Sequence, residues 1–206
     1  MSINHERPDQ DDAVSPVIGV MLMLVVTIII AAFVASFAGT FGETAQKTPS
    51  AALDVKIVSN GGVDKDQYVM LIEHLAGDPI RTKDMRILSY YSPPSSASSA
   101  QTRGDVTSLK SAAMVNGVTV KIPYLNDLSR GGPGDPKVDF GNFTLIAGGI
   151  LTSGTTTGTG ARSGTSMLGF DVTDPKYEFG KGSIVEVKII HIPSQKVLYS
   201  SEVVVQ

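Results

Sequence analysis

The chain of 206 residues contains no cysteine and no tryptophan. Without cysteine it can form neither a disulfide bond nor a thiolate metal site, and the redox compartment stays undetermined. Net charge is also small, because 17 basic and 20 acidic residues give a formal charge of -3. Such a balance supplies no global field for nucleic acid or for anionic lipid. We therefore expect no nucleic-acid partner.

The sequence also lacks the motifs of common enzymes and cofactor sites. It has no Gly-x-Ser-x-Gly elbow, no P-loop and no His-Glu-x-x-His pair. Asp135, Asp139 and Asp171 lie near glycines, but their spacing fits no EF-hand. The three histidines are isolated in the sequence: His5, His74 and His191. We interpret the last two as hydrogen-bonded structural residues and predict no catalytic residue, no metal site and no cofactor.

Charge is absent altogether from one long segment, Ala13 to Gly42. From Val17 to Phe41, 20 of 25 residues are Ala, Val, Ile, Leu, Met or Phe. As a helix this stretch would extend roughly 38 Å, against a hydrocarbon core of about 30 Å. A secretory signal peptide ending at Ala45 is disfavoured, because it would need a basic start and a shorter apolar core. We predict a membrane-spanning helix.

Local chemistry explains where this helix begins and how it could pack. Ser15 can cap the free N-H groups of the first turn, and Pro16 suits the first helical position. Small residues fall into rows spaced four residues apart, and such rows let helices approach closely, although small residues are common in any membrane helix. The predicted helix-packing positions are Gly19, Ala31, Ala32, Ala35, Ser36 and Gly39.

The residues just before the helix resemble a processing site. Asp12-Ala13-Val14-Ser15 is similar to the recognition pattern of the archaeal prepilin peptidase, in which a charged residue and a Gly or Ala precede the cut. The following Val-Ser-Pro-Val-Ile-Gly-Val resembles the N-terminus of archaeal type IV pilins. This resemblance implies cleavage after Ala13, with Asp12, Ala13 and Val14 as the processing site. Val14 and Ile18 differ from the methylated Phe and the Glu of bacterial pilins, which favours the archaeal branch.

The resemblance also implies a domain organisation, partners and a location. The precursor would sit in the cell membrane with its leader in the cytoplasm, and the mature chain in an extracellular adhesive filament. Its partners would be other pilin subunits in a homopolymer, the prepilin peptidase, an assembly ATPase and a membrane platform protein. The predicted parts are a cleaved leader (1–13), a transmembrane and filament-core helix (14–42), a junction (43–50) and an extracellular β-domain (51–206).

After the junction the sequence alternates short strands with turn-rich loops. Leu53, Val55 and Ile57 alternate with polar residues, as in a half-buried strand. Further strands are predicted over 68–75, 85–91, 118–122, 137–147, 167–172, 183–192 and 196–205, the last two as a hairpin. The pattern favours an antiparallel β-domain of Greek-key type, either sandwich-like or an open barrel. With the N-terminal helix, the predicted fold class is α+β.

Three loops of biased composition are predicted to lie outside the core: 92–105, 127–137 and 152–166. They would be exposed on a filament. The sequon Asn142-Phe143-Thr144 makes Asn142 a candidate for N-glycosylation, although it falls in a predicted strand.

Other functions stay open from the sequence alone. A single-pass membrane protein that never polymerises could display the β-domain for binding. An archaellin-like subunit of a rotating filament is a second alternative, and a surface hydrolase a third.

Overall fold

The computed structural model describes residues 16–41, 47–59, 68–94, 101–115, 118–154 and 167–206, with the backbone alone for 37–41 and 113–115. The chain divides into two compact units, Met1–Ala45 and Gln46–Gln206. The first contains the apolar helix and the second contains the β-rich domain.

The helix, α1, extends from Pro16 to Phe41 over 26 residues. Its length is about 39 Å at ~1.5 Å per residue. The stretch Pro16–Ser36 is long and apolar enough to cross a membrane, by length and composition. Apolar residues occupy all sides of the helix instead of one stripe, so no face of it is suited to water.

The described part of the second unit contains twelve strands. They are β1 Ala51–Ser59, β2 Tyr68–Gly77, β3 Ile80–Arg81, β4 Met85–Tyr91, β5 Thr102–Val106, β6 Ala112–Val115, β7 Val118–Lys121, β8 Tyr124–Leu125, β9 Thr144–Leu145, β10 Ile150–Thr152, β11 Ile184–His191 and β12 Lys196–Val204. Short 3₁₀ turns occur at Thr82–Asp84 and Pro175–Tyr177.

These strands form two four-stranded antiparallel sheets, in the orders β1-β2-β10-β8 and β12-β11-β4-β5. Two smaller sheets consist of one strand pair each, β3 with β9 and β6 with β7. The large sheets meet where β1 and β12 run parallel, through a bridge between Ile57 and Val205. There the Ser59 N-H donates to Gln206 O at 2.8 Å, and the Gln206 N-H donates to Ile57 O at 3.0 Å.

One hydrophobic core lies between the two sheets. Ile57 and Ile72 from the first sheet are buried in it, together with Ile87, Val187 and Ile189 from the second. The alternation of buried and exposed residues in β1 and β11 follows the period of two expected of strands with one inward face. The predicted α+β class, an apolar helix followed by antiparallel sheets, is confirmed.

The strand directions define two ends of the domain. At the proximal end, β1 begins at Ala51, and the Asp78 N-H after β2 donates to Ser50 O at 2.7 Å. At the distal end, Ser59 pairs with Tyr68. The proximal end is thus the one at Ala51, and the distal end the one at Ser59.

Several predicted strands are confirmed, and two are wrong. Strands β2, β4, β11 and β12 lie where the alternation placed them, and the last two form the predicted hairpin. The segment 137–147 is mostly turns with only β9 in strand form, and 167–172 contains no strand. Strand β7 ends at Lys121, before the cis peptide bond between Ile122 and Pro123.

A further correction concerns the predicted loop 92–105, which contains most of β5. This strand pairs with β4, from Ile87 opposite Val106 to Tyr91 opposite Thr102. Its Thr-Arg-Gly-Asp-Val sequence has little strand propensity. Pairing with an established neighbour, which local composition does not encode, decides its conformation.

Candidate assembly helix and domain surfaces

The helix presents apolar side chains in every direction. Every side chain from Pro16 to Ser36 is exposed within the structure. The hydroxyl of Thr27 is satisfied within the helix, because its Oγ1 donates to Leu24 O at 2.8 Å. The surface of α1 can therefore be covered by lipid or by other helices without a buried, unpaired hydroxyl at Thr27.

The predicted helix-packing residues all fall within α1. A Cβ added at Gly19 would meet no atom within 4 Å, so the space beside this glycine is open to a neighbour. Ala31, Ala32, Ala35 and Ser36 have exposed side chains, and Gly39 lies in the helical backbone. Their role in packing stays a prediction.

The predicted processing site and helix cap lie outside the described residues, since Asp12, Ala13, Val14 and Ser15 precede them. The described helix begins at Pro16, without an acidic residue in its first turn.

The proximal end of the domain carries two adjacent grooves of about 430 and 670 Å³. Arg130, Thr144 and Ile146 line both of them. Leu128, in the turn beside them, is 87% exposed, and Ile146 is 55% exposed. Sequence reasoning missed this surface. A sequence feature that could have indicated it is the apolar Leu128 among polar residues in the loop Asp127-Leu128-Ser129-Arg130.

The distal end is held by a cluster of aromatic rings. Tyr91 stacks on Phe170 with ring centroids 5.2 Å apart and meets Phe179 edge-on at 5.1 Å. The Tyr91 hydroxyl donates to Tyr177 O at 2.7 Å. These contacts attach the irregular segment after residue 166 to the end of the sandwich. A groove of about 370 Å³ beside Tyr91 is also lined by Lys181.

The outer face of the second large sheet carries a row of charges. Arg86 donates to Asp105 through Nε at 2.8 Å and through Nη2 at 2.6 Å, a bidentate ion pair. The hydrogen bond from Arg86 lowers the pKa of the Asp105 carboxyl. Arg103 and Lys188 both approach the ring of Tyr90, at 5.9 and 5.4 Å from its centroid. The row is therefore an internally paired surface.

The two histidines of the domain differ from each other. His191 matches its prediction, because Nδ1 lies 2.8 Å from Ser194 Oγ. His74 does not, because it is fully buried and, within the described residues, neither ring nitrogen has a hydrogen-bond partner. The alternation of β2 turns His74 inward on the same face as Ile72. The sequence showed the strand but not what would surround its inward face.

The aspartates near glycines serve turns. Asp135 Oδ1 accepts from the Lys137 N-H at 2.9 Å, and Asp171 Oδ1 accepts from Thr173 N at 3.0 Å. Asp139 is buried and accepts from the Lys121 N-H at 3.3 Å. In the described part of the chain, no three His, Asp or Glu side chains are grouped to hold a metal ion.

Asn142 lies in a turn and not in the strand predicted for it. Its side chain is exposed, and Nδ2 donates to Pro136 O at 3.1 Å. Strand pairing begins only at Thr144. The turn makes the amide reachable from solvent, and glycosylation of Asn142 stays a prediction.

Comparison with protein families bears directly on α1 and the residues around it. Residues 12–53 match the family model described as archaeal type IV pilin, N-terminal. The N-terminal segment fits an archaeal type IV pilin. The match covers the helix, the junction and the first residues of β1. No curated protein matched the chain.

The family match and the apolar helix together support an archaeal type IV pilin subunit. Pilins of this family are structural proteins that assemble with other pilin subunits. The helix and the family indicate a membrane-anchored precursor and an extracellular pilus.

Proposed function

We propose that this pilin is processed after Ala13 and polymerises through α1 into an adhesive pilus. The observation that carries the proposal is the coincidence of the pilin match at residues 12–53 with a 26-residue helix that is apolar on all sides. The mature chain would begin at Val14. Its role is structural, without catalysis or cofactor.

The physical reason lies in what surrounds the helix before and after assembly. A helix without a polar face needs an apolar environment at all times. During assembly the lipid around α1 is exchanged for neighbouring helices, so its surface never meets water. The gain comes from close packing, which the small row of Ala31, Ala35 and Gly39 would permit. The β-domains then form the outer layer of the filament.

The proposed partners follow from this route. The prepilin peptidase removes the leader, residues 1–13, on the cytoplasmic side. An assembly ATPase and a membrane platform protein then move the subunit from the membrane into the filament. The helix occupies residues 14–42, the junction 43–50 and the extracellular domain 51–206.

The distal end of the domain is the proposed adhesive part. Two of the loops of biased composition, 92–105 and 152–166, have described residues at one or both of their ends. Tyr91, which pairs with Thr102 on either side of the first loop, belongs to the aromatic cluster at the distal end. The Ser153 N-H donates to Met70 O at 3.0 Å, which places the start of the second there as well.

N-terminal sequencing of material sheared from cells tests the processing step. Filaments whose subunits begin at Val14 support the proposal. Ala13→Trp should abolish processing and filaments because the bulky side chain replaces the small residue at the cut. Ala13→Gly is the matched control and should be processed normally.

The same experiment separates the alternatives. A full-length chain confined to membranes would favour a non-polymerising membrane protein and refute the pilin proposal. Processed filaments that rotate in tethered cells would instead favour an archaellin-like subunit.

A further inference from the structure

Two exposed apolar side chains occupy neighbouring loops at the proximal end. Leu128 lies between β8 and β9, and Ile146 lies between β9 and β10, with 87% and 55% of their surfaces exposed. Soluble surfaces expose single apolar residues routinely. Here Ile146 lines both grooves, and Leu128 lies between Asp127, which lines one groove, and Ser129, which lines the other.

The backbone fixes both loops to the sheet. The Asn126 N-H donates to Ile150 O at 2.8 Å, and the Arg130 N-H donates to Asp127 O at 3.1 Å. On the other side, the Gly148 N-H donates to His74 O at 2.7 Å. Leu128 and Ile146 are therefore presented by ordered turns.

Two basic side chains accompany them. Arg130 lines both grooves and Lys137 lines one. Neither forms an ion pair with a described residue. The nearby Asp127 accepts through Oδ1 from the Ser129 hydroxyl at 2.6 Å and from the Ser129 N-H at 3.0 Å, and the charge of Arg130 acts on its carboxyl without an ion-pair contact. We call Leu128, Arg130, Lys137 and Ile146 the proximal surface.

Covalent connectivity limits how far this end can be from the helix. Nine residues, 42–50, separate the last residue of α1 from the first of β1. Fully extended, they span at most about 35 Å. When the helix crosses a membrane, this length puts the bilayer surface within reach of the proximal end of the domain.

We propose that the proximal surface docks on the anionic headgroup layer of the membrane while the precursor is anchored there. Apolar side chains flanked by Lys and Arg are suited to this interface, because the apolar groups enter the acyl boundary and the cations meet anionic lipid. The inference rests on the membrane anchoring proposed above. Assembly then has to release this contact before the domain can leave the membrane.

The test uses the full chain reconstituted in vesicles. Since the chain has no cysteine, Leu128→Cys accepts a single environment-sensitive fluorophore. Vesicles of phosphatidylcholine mixed with phosphatidylglycerol, which supplies the anionic headgroups that the contact requires, should give blue-shifted emission that brominated lipid quenches. Pure phosphatidylcholine should give a weaker effect. Gln101→Cys, at the distal end, should give neither in either vesicle.

Charge variants distinguish contact with anionic lipid from nonspecific adsorption of the domain. Arg130→Gln should shift the equilibrium towards the undocked domain about fivefold, the contribution of one basic residue near an anionic surface. Lys181→Gln, at the distal end, should leave the emission of the Leu128→Cys label unchanged.

Two results would overturn the proposal. One is identical emission from the label in anionic vesicles, neutral vesicles and detergent. The other is a blue shift that grows with protein density without quenching by brominated lipid, which would assign the surface to a second copy of the chain. Resistance of the chain to alkaline extraction reports the anchoring separately, so the two failures are distinguishable.

Discussion

Gly104 in β5 lies directly against the backbone of the segment after residue 166. A Cβ at this position would overlap the carbonyl oxygen of Met167, which also accepts a hydrogen bond from Ser89 Oγ. The backbone of Met167 cannot move away from an added Cβ as easily as the end of a flexible side chain could. The absence of a side chain at Gly104 therefore allows β5 and this segment to pack together.

Gly104→Ala should lower the free energy of unfolding by about 2 kcal/mol, as overpacking typically does. Gly132→Ala is the matched control, because nothing lies within 4 Å of its added Cβ and its φ is not positive. Urea unfolding of the detergent-solubilised chain, followed by tyrosine fluorescence, measures both. Equal stability of the two variants would contradict the packing argument.

The ion pair between Arg86 and Asp105 predicts a pH dependence. Because the pKa of Asp105 is lower in the folded chain, the stability that the ion pair contributes is present above the ordinary Asp pKa of about 3.9 and is lost as pH falls through the lower pKa of the folded chain. Asp105→Asn should cost about 1 kcal/mol of unfolding free energy at pH 7, since the bidentate pair is only partly exposed.

This difference between the wild-type chain and Asp105→Asn should disappear in acid, once the native carboxyl is protonated. Thermal unfolding from pH 7 down to pH 2 measures it. Asp54→Asn is the control, because its pair with Lys56 is more exposed and should contribute almost nothing. A difference that persists at the lowest pH would show that charge is not its cause.

At the scale of elements, α1 combines bulky residues in its first half with small residues further on. In the proposed assembly, the two halves would suit two environments: lipid before assembly and neighbouring helices afterwards. Because the helix has no polar face, the pattern of side-chain size is what can determine which side packs.

Ala35→Leu should reduce filament yield several-fold while membrane insertion stays unchanged, because leucine adds apolar surface but blocks close approach. Val34→Leu is the matched control, since it replaces one bulky residue by another beside the small row. Filament yield and membrane-bound precursor are measured in the same cells. Unchanged yield from Ala35→Leu would show that the small row has no packing role.

At the scale of the whole domain, the seam between β1 and β12 joins the two sheets. Val205 is 2% exposed at this seam, whereas its neighbour Val204 is 51% exposed. A shared core and a hydrogen-bonded seam predict that both sheets unfold in one cooperative transition.

Val205→Ala should therefore lower the unfolding free energy by about 2 kcal/mol, and Val204→Ala by less than about 0.5 kcal/mol. Amide hydrogen exchange at Ile72 in the first sheet and Val187 in the second should accelerate by the same factor in Val205→Ala. Acceleration confined to one sheet would show that the sheets open independently.

The strands that the sequence predicted well are those with a strong alternation of apolar residues. In β1 and β11, period-two burial fixes which face turns inward, and neighbouring strands only complete the pairing. The turns around Asp135 and Asp139 contain as many apolar residues as a short strand, so composition alone predicted a strand there. Hydrogen bonds from backbone N-H groups to the carboxylates of these aspartates stabilise turns there instead of a strand.

By itself the sequence determined the N-terminal helix, since 26 residues without charge allow few other structures and their surface has to avoid water. It also determined the α+β class. Only the tertiary structure decided that β5 is a strand, that the surroundings of His74 offer its ring nitrogens no hydrogen-bond partner among the described residues, and that Leu128 and Arg130 share a surface. Those outcomes depend on which distant segments meet, and contacts between distant segments leave no periodic pattern in the sequence.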